Sequence, residues 1–544
     1  MKFTAFCVTA CILVITGSLV VFSAAAGPQL AEAPRHLIDT KVVSAGKVIR
    51  VSAGGSFQTA LMRAKPGDTI ELEAGAVFKG PFILPYKPPS SKPAFQWITI
   101  QSSGSDTALP PAGVRVSPAD AVAMARLESA SGAIVSAAPG AHHYRFVGIE
   151  FQPTPSSPQA PSGFFLNALI SLGADEAAGE KVPHHLIIER CYLHGDPQIG
   201  ARRGIIMNSA TTVVVDSYLA DFKMLGHDSQ AIIGWAGPGP YLIRNNYLEA
   251  SGENLLFGGA DPAIQDRVPA DIVIRGNHFS KPIAWKVGSS SYAGTTWTIK
   301  NLLELKNARR VLIDGNLLEY NWVESQNGFA ILFTVRNQDG SAPWSVVEDV
   351  IFSNNVVRHV TNGINILGWD NNYPSQQTRR IVIRNNLFTD LGGTWGEGHL
   401  IQLLDGTEDV VMERNTAVHS GSILRTEGRR HQGFEFRNNI VRHNRDGIVG
   451  TDSAPGNAVL ERYFDSAVIH GNIIAGGSVN AYPPGNVFPE SLDTVGFKNV
   501  KGSDFRLDRS SRYRSVERTA GVDFAELCSA LSVTEQPPSC TASP

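Results

Sequence analysis

Residues 297–337 read WTIKNLLELKNARRVLIDGNLLEYNWVESQNGFAILFTVRN. Short apolar runs alternate with single polar residues, and no 3.6-residue period links them, so the stretch reads as strands separated by turns. Its central unit, VLIDGN (311–316), recurs along the chain. The units HLIIERC, TVVVDS, YLIRNN, IVIRGN, VLIDGN, VIFSNN, IVIRNN, VVMERN, FEFRNN and AVIHGN end at Cys191, Ser217, Asn246, Asn277, Asn316, Asn355, Asn386, Asn415, Asn439 and Asn472. Their spacing varies from 24 to 39 residues while the strand keeps its length. A solenoid absorbs loops in this way, between strands that stack coil on coil.

The physical reading is an all-β chain wound as a single-stranded, right-handed parallel β-helix. In IVIRNN, Ile381 and Ile383 face inward, with Val382 and Arg384 between them facing out. Asparagine tolerates a left-handed turn, and asparagines stacked along an axis can hydrogen-bond into a ladder. Asn316 therefore belongs to the ladder and takes no catalytic role. Each unit carries a second strand after this column, among them GIIMN, NLLFGG, LLELKN, FAILFTV, GINILG, LIQLLDG and SILRTEG.

Outward from this repeat, Phe57, Ala60, Leu61 and Ala64 mark one face of a short helix before the Pro66-Gly67-Asp68 turn and the strand Thr69–Glu73. This is the expected N-terminal cap, which shields the first apolar layer and its strand edge. Residues 118–128 read as a second short helix, 144–151 as a strand, and 153–163 as a loop. The expected organisation is a signal peptide (1–26), a loose leader (27–50), the β-helix (51–480) and an irregular C-terminal cap with a disordered tail (481–544). The apolar run Phe3–Phe22, closed by small residues to Ala26, fits a cleaved export signal, with an uncleaved anchor as the alternative. The protein is then secreted, extracellular or periplasmic, with no membrane span after signal removal. Of the five cysteines, Cys7 and Cys11 leave with the signal, Cys191 fits a core position, and Cys528 with Cys540 can pair.

Formal net charge is -3 and charged residues make up 18% of the chain, so no basic surface argues for nucleic acid. A monomer is expected. The chemistry is sought on outward positions of the second strands. These form a polar stripe of Glu304, Lys306, Arg336, Asn365, Gln402 and Arg425, with rungs about 4.8 Å apart. The stripe suits a chain of sugars lying along the axis. Trp285, Tyr292, Trp297, Trp322 and Trp344 lie on the long adjoining loops, where aromatic faces can stack on sugars or pack the loop onto the coil.

The coil resembles the pectate-lyase-like superfamily over roughly residues 51–515. The charged stretch resembles the alginate lyase and chondroitinase B family. That resemblance implies a polysaccharide lyase with Lys306 as base, Arg336 as its partner, and Glu304 as a ligand for calcium. Asn365, Gln402, Arg425, Trp322 and Trp344 would hold substrate. β-Elimination requires removal of a proton beside a carboxylate whose growing charge is met by a cation. Two readings stand beside it. A glycoside hydrolase would need a carboxylate pair, such as Glu397 with Asp405 or Glu253 with Asp261. A non-catalytic carbohydrate-binding protein or adhesin needs neither. The paired histidines His142-His143 and His184-His185 read as turn or surface groups and not as metal ligands.

Overall fold

The computed structural model describes residues 28–42, 46–91, 96–154, 167–175, 178–513, 520–531 and 536–541. The expected signal peptide and most of the 153–163 loop lie outside them. Three long parallel sheets of 16, 13 and 12 strands run the length of the coil. The first sheet holds the strands that precede the asparagine column, and the second holds the strands that follow it. The third holds the strands read from sequence as second in each unit.

The repeat is thus three strands per coil, not two. The middle strands, such as Tyr247–Ala250, Leu317–Asn321 and Val356–Val360, start just past the ladder residue with no turn signal before them. The same bend splits 144–151 into His142–Val147 and Ile149–Pro153 on two sheets. Residues 118–128 also divide, into a 3-10 turn Pro118–Ala123 and a strand Ala125–Ser129. The capping helix Phe57–Arg63 is present; Ser56 caps it by accepting from the Thr59 N–H, and Phe57, Ala60 and Leu61 are buried.

Parallel register stacks like on like. Ile272, Val311, Val350, Ile381 and Val410 form one inner column of the first sheet. Leu255, Leu303, Ile331, Ile364, Ile401 and Leu424 form one in the third. Each fully buried side chain of this size contributes about 1.5–3 kcal/mol. The asparagine ladder runs at the bend between the first and second sheets. Asn316 Oδ1 accepts from the backbone N–H and Nδ2 of Asn277, at 2.9 and 3.0 Å, and Asn316 donates likewise to Asn355. The chain of bonds runs from Asn246 to Asn472 and one step further, to Asn486. The left-handed residue is the one before each ladder position, including Asn245, Gly315, Asn354, Asn385 and Arg414. The ladder asparagines are chosen for their hydrogen bonds, not their backbone angles.

The first and last described segments both lie along the coil. The leader expected to be loose runs across the first sheet. Backbone N–H groups of Gln29, Glu32 and Arg35 donate to the carboxylates of Asp409, Asp349 and Asp271. Three extended residues cover about 10 Å, which matches two rungs of about 4.8 Å each. Arg310 and Arg380 stand between these aspartates and bind Asp271 and Asp349 through paired hydrogen bonds. Further on, Ile38 and Val42 pack on Ile187, Val213 and Val215. The tail packs on the second sheet. Leu492, Phe497, Phe505, Val522, Leu527 and Leu531 cover Leu317, Val356, Leu387, Ile440 and Ile473. Pro538–Thr541, expected to be disordered, forms a helical turn anchored by the Cys528–Cys540 disulfide. Cys191 is free and buried.

Candidate functional site

The third sheet carries the stripe. Its central outward column pairs residue to residue as Ile206, Ile233, Leu256, Glu304, Leu332, Asn365, Gln402, Arg425 and Val449. The column is apolar before Glu304, where Ile206, Ile233 and Leu256 cluster with Ala168 against Trp235. It turns polar at Glu304. The sequence reading therefore places Glu304, Asn365, Gln402 and Arg425 correctly on one line. It misses Leu332, which occupies the rung assigned to Arg336.

Glu304 is buried on the outer face beneath surrounding side chains. Asn301 Nδ2 donates to its Oε2 at 3.0 Å, and Lys306 Nζ stands 3.7 Å from its Oε1. Thr334 Oγ1 reaches the same oxygen at 3.5 Å. A second carboxylate lies one rung back. Glu253 is fully buried, accepts from Gln230 Nε2 at 2.7 Å, and has Lys300 Nζ at 3.5 Å. Burial and the neighbouring Glu304 charge push the Glu253 carboxyl upward from its ordinary range. Lys300 also binds Asp228 at 2.6 Å, and these carboxylates hold its ammonium above its usual range against burial. Arg203 extends the chain through Gln230 at 2.9 Å. Beneath Glu253, the buried Lys281 ammonium donates to the carbonyls of Ala250 and Gly252, each at 2.7 Å, and to Asn254 Oδ1 at 2.9 Å. Burial brings Lys281 down to about 7.

At the far end, Arg425 Nη1 lies 2.8 Å from His399 Nε2. Burial and the Arg425 charge lower His399 from its ordinary range, while its Nδ1 accepts the Ser422 N–H at 3.1 Å. Gln402, Arg425, Thr426, Glu427 and Val449 line a cavity of about 260 Å³. Among the described residues on this face, the buried Asn301 Oδ1 and Asn365 Oδ1 have no hydrogen-bond partner, and Glu253 Oε1 has only the Lys300 ammonium at 3.5 Å. Such orphans are uncommon in folded proteins and mark places where a bound group can complete the bonding.

Lys306 and Arg336 stand on successive rungs, with the Arg336 N–H donating to the Lys306 carbonyl at 2.9 Å. The Arg336 guanidinium turns away to Asp370 at 2.7 Å and Asn371 at 2.5 Å, which anchors the following loop. Trp322 does not offer a sugar platform. It is 5% exposed and packs with Trp285, Trp297 and Ile299 under Tyr320 and Trp395. Trp344 is half-buried and donates from its indole to the Arg267 carbonyl at 3.2 Å, so it braces a loop. Asp261 Oδ2 likewise accepts from the backbone N–H groups of Asp339 and Ser341 and so ties that loop.

Sequence reasoning passed over Lys300, Asn301, Asp228, Arg203 and His399. Asn301 and His399 lie three residues before Glu304 and Gln402, just ahead of the strands Leu303–Leu305 and Ile401–Leu404, where two-residue alternation does not reach them. Asp228 comes from a loop with no periodic signal. The donor set fits a hard cation in type: Glu253, Asn301 and Glu304 offer carboxylate and amide oxygens, and Asn301 Oδ1 has no hydrogen-bond partner. Among the described residues, no helix is long and apolar enough to cross a membrane.

No family model matches the chain, and no curated protein matches it in sequence. Solved structures do. An alginate lyase of polysaccharide lyase family 6, AlyGC, aligns at TM-score 0.51 and 13% identity, over 91% of this chain and 59% of that one. A mannuronic-acid-specific family 6 lyase from human gut microbiota aligns at TM-score 0.48 and 11% identity, over 90% and 96%. The pectate lyase Pel9A aligns at TM-score 0.32 and 10% identity, over 86% and 91%. The likeness is one of fold: this chain is a right-handed parallel β-helix with the polysaccharide-lyase-like coil.

Proposed function

We propose that the protein is a carbohydrate-active enzyme, a polysaccharide lyase that cleaves a uronic-acid-containing polysaccharide by β-elimination. The observation that carries this reading is the buried knot of Glu253, Asn301 and Glu304, with its orphaned Asn301 oxygen. It lies beside Lys300 and Lys306 at the head of the polar stripe Asn365–Gln402–Arg425. Lys306, beside Glu304 at the head of the stripe, acts as base through its neutral amine: it takes the proton from the carbon next to the uronate carboxylate and becomes the ammonium. The electron pair becomes the new carbon–carbon double bond, and the bond to the leaving glycosidic oxygen breaks. Lys300 and Arg425 supply fixed positive charge toward the acidic chain, and Asn365 and Gln402 orient its hydroxyls. Arg336 assists by holding the loop at Asp370 beside Lys306. If calcium is bound, Glu253, Asn301 and Glu304 hold it, and it neutralises the substrate carboxylate. The proposal places the enzyme outside the cytoplasm, where a disulfide such as Cys528–Cys540 persists.

A hydrolase is the second reading, favoured by one observation. Glu253 is pushed upward beside the charge of Glu304, the asymmetry that a general acid and its partner need. The test is to incubate the protein with alginate, pectate and glycosaminoglycan, with calcium or with chelator. The ultraviolet absorbance of unsaturated product and the release of reducing ends are followed together. Both signals rising, and both lost in Lys306→Ala, is the expected result. Reducing ends without absorbance mean hydrolysis, and full lyase activity in Lys306→Ala removes the proposed base.

A further inference from the structure

A different cluster lies on the first sheet, near the N-terminal cap and away from the Glu304 stripe. His142-His143 and His184-His185 begin the strands His142–Val147 and His184–Glu189, which pair in parallel with His184 opposite His142. The rings stack across the two coils. His142 lies over His184 at 5.0 Å and His143 over His185 at 4.4 Å, with planes within 10°. Within each pair the Nδ1 atoms meet, at 2.8 Å for His142 with His143 and 2.6 Å for His184 with His185. The donor atoms of His143, His184 and His185 all lie within 4.8 Å of one another. Among the described residues, this is the one group of three or more histidine, cysteine or carboxylate side chains so placed.

We propose that His143, His184 and His185 form a binding site for a borderline divalent transition metal, of the zinc, nickel and copper class, that staples two coils together. Imidazole nitrogen is the donor these ions prefer, and a set without carboxylates disfavours calcium or magnesium. Zinc-bound nitrogens at about 2.0–2.1 Å stand about 3.3 Å apart in a tetrahedron. The spacings of 2.6 Å and up to 4.8 Å bracket that value, so side-chain rotation suffices to close the site. His142, with its Nδ1 at His143 Nδ1, orients the His143 ring as outer partners of metal-bound histidines do.

Two further features support the site. His143 and His185 both have left-handed backbones, at φ 58° and 54°. At the equivalent place Asp271, Arg310, Asp349, Arg380 and Asp409 form the charged column on which the leader lies. The cluster is also walled by aromatic rings, with Trp97 5.1 Å from His143 and Tyr86 5.7 Å from His142. Burial and the neighbouring rings lower His143 and His184 from the ordinary histidine range.

The test uses the full chain without a polyhistidine tag, stripped with chelator. Zinc is titrated by calorimetry and cobalt(II) by visible absorption, and thermal unfolding is followed with zinc or calcium. The expected results are one zinc per chain with micromolar or tighter Kd, intense tetrahedral cobalt bands, and a Tm raised by zinc but not by calcium. In His143→Asn/His185→Asn, zinc affinity falls about 100-fold or more and the Tm shift disappears. Asparagine tolerates the left-handed backbone, so the metal-free Tm of this variant shows whether the coil is intact. His184→Ala, which replaces a residue without that backbone demand, loses binding in the same way. Zinc binding weaker than millimolar, or unchanged in the intact double variant, overturns the site.

Discussion

At the scale of the residue, Glu304 decides the site. On the same column it follows Ile206, Ile233 and Leu256, and beyond Leu332 come Asn365, Gln402 and Arg425, so it is the first polar group where an apolar outer face gives way to a largely polar floor. Replacing it with glutamine keeps shape and removes charge. Glu304→Gln is expected to lower kcat/KM at least ~100-fold, because charge placed for the transition state is lost. Tm should stay within a few degrees, since the Asn301 contact survives and the Glu253 repulsion is relieved. Activity assayed beside thermal unfolding checks both. An unchanged kcat/KM in a folded variant would remove Glu304 from the site. Glu304 was legible in sequence because alternation through Leu303 and Leu305 fixes its outward direction. Arg336 and Trp322 were misread for a common reason: each lies past the end of a strand, where alternation stops and loop packing takes over.

At the scale of the element, the asparagine ladder made the fold readable. Asparagine repeated at one turn of eight successive units has no explanation in helices and a direct one in stacked coils. The second sheet stayed hidden because a bend made by one left-handed residue, such as Gly148, leaves no break in the apolar run. Asn316→Ala would leave the buried Asn277 backbone N–H without its side-chain acceptor, remove one of the two bonds of the Asn277 amide, and take the Asn316 amide from the Ile274 carbonyl. The expected cost is about 2–4 kcal/mol. Asn486→Ala, at the half-exposed end of the ladder, should cost clearly less. Equal losses in the two variants, read from denaturant unfolding, would argue against a ladder whose inner bonds matter most. Removing residues 28–42 should expose Ile187, Val213 and Val215, lower Tm, and raise binding of a hydrophobic dye. Unchanged values would mean that the leader adds nothing to the coil.

At the scale of the whole molecule, buried histidines set the response to acid. His419 and His431 are buried and held at about 4 by desolvation. His431 Nδ1 accepts the Thr407 N–H at 2.9 Å while Nε2 faces Thr426 Oγ1 at 2.8 Å, an arrangement built for the neutral ring. The ordinary value is about 6.5, so between pH 6.5 and 4 the unfolded chain takes up protons that the folded chain refuses. Stability is therefore present above pH 6.5 and lost as pH falls through that window, on the order of 3 kcal/mol per buried ring by pH 4. His143 and His184, lowered likewise, add loss of the same sign. Denaturant midpoints at pH 7 and 4.5 measure it, and His431→Gln should flatten the dependence. A flat profile in the unaltered protein would contradict the buried neutral rings. None of this was visible in sequence, where a histidine beside a turn looks like any surface group.

The leader carries one more consequence, about order in time. Glu32 binds Asp349 across 317 residues of sequence, and Arg35 binds Asp271 across 236. A chain that emerges N-terminus first makes the leader's aspartate partners long after the leader itself. The coils can add one upon another from the cap, each closing on the last. The leader must wait until several are complete and then lie down across them, so the first segment made is among the last to settle.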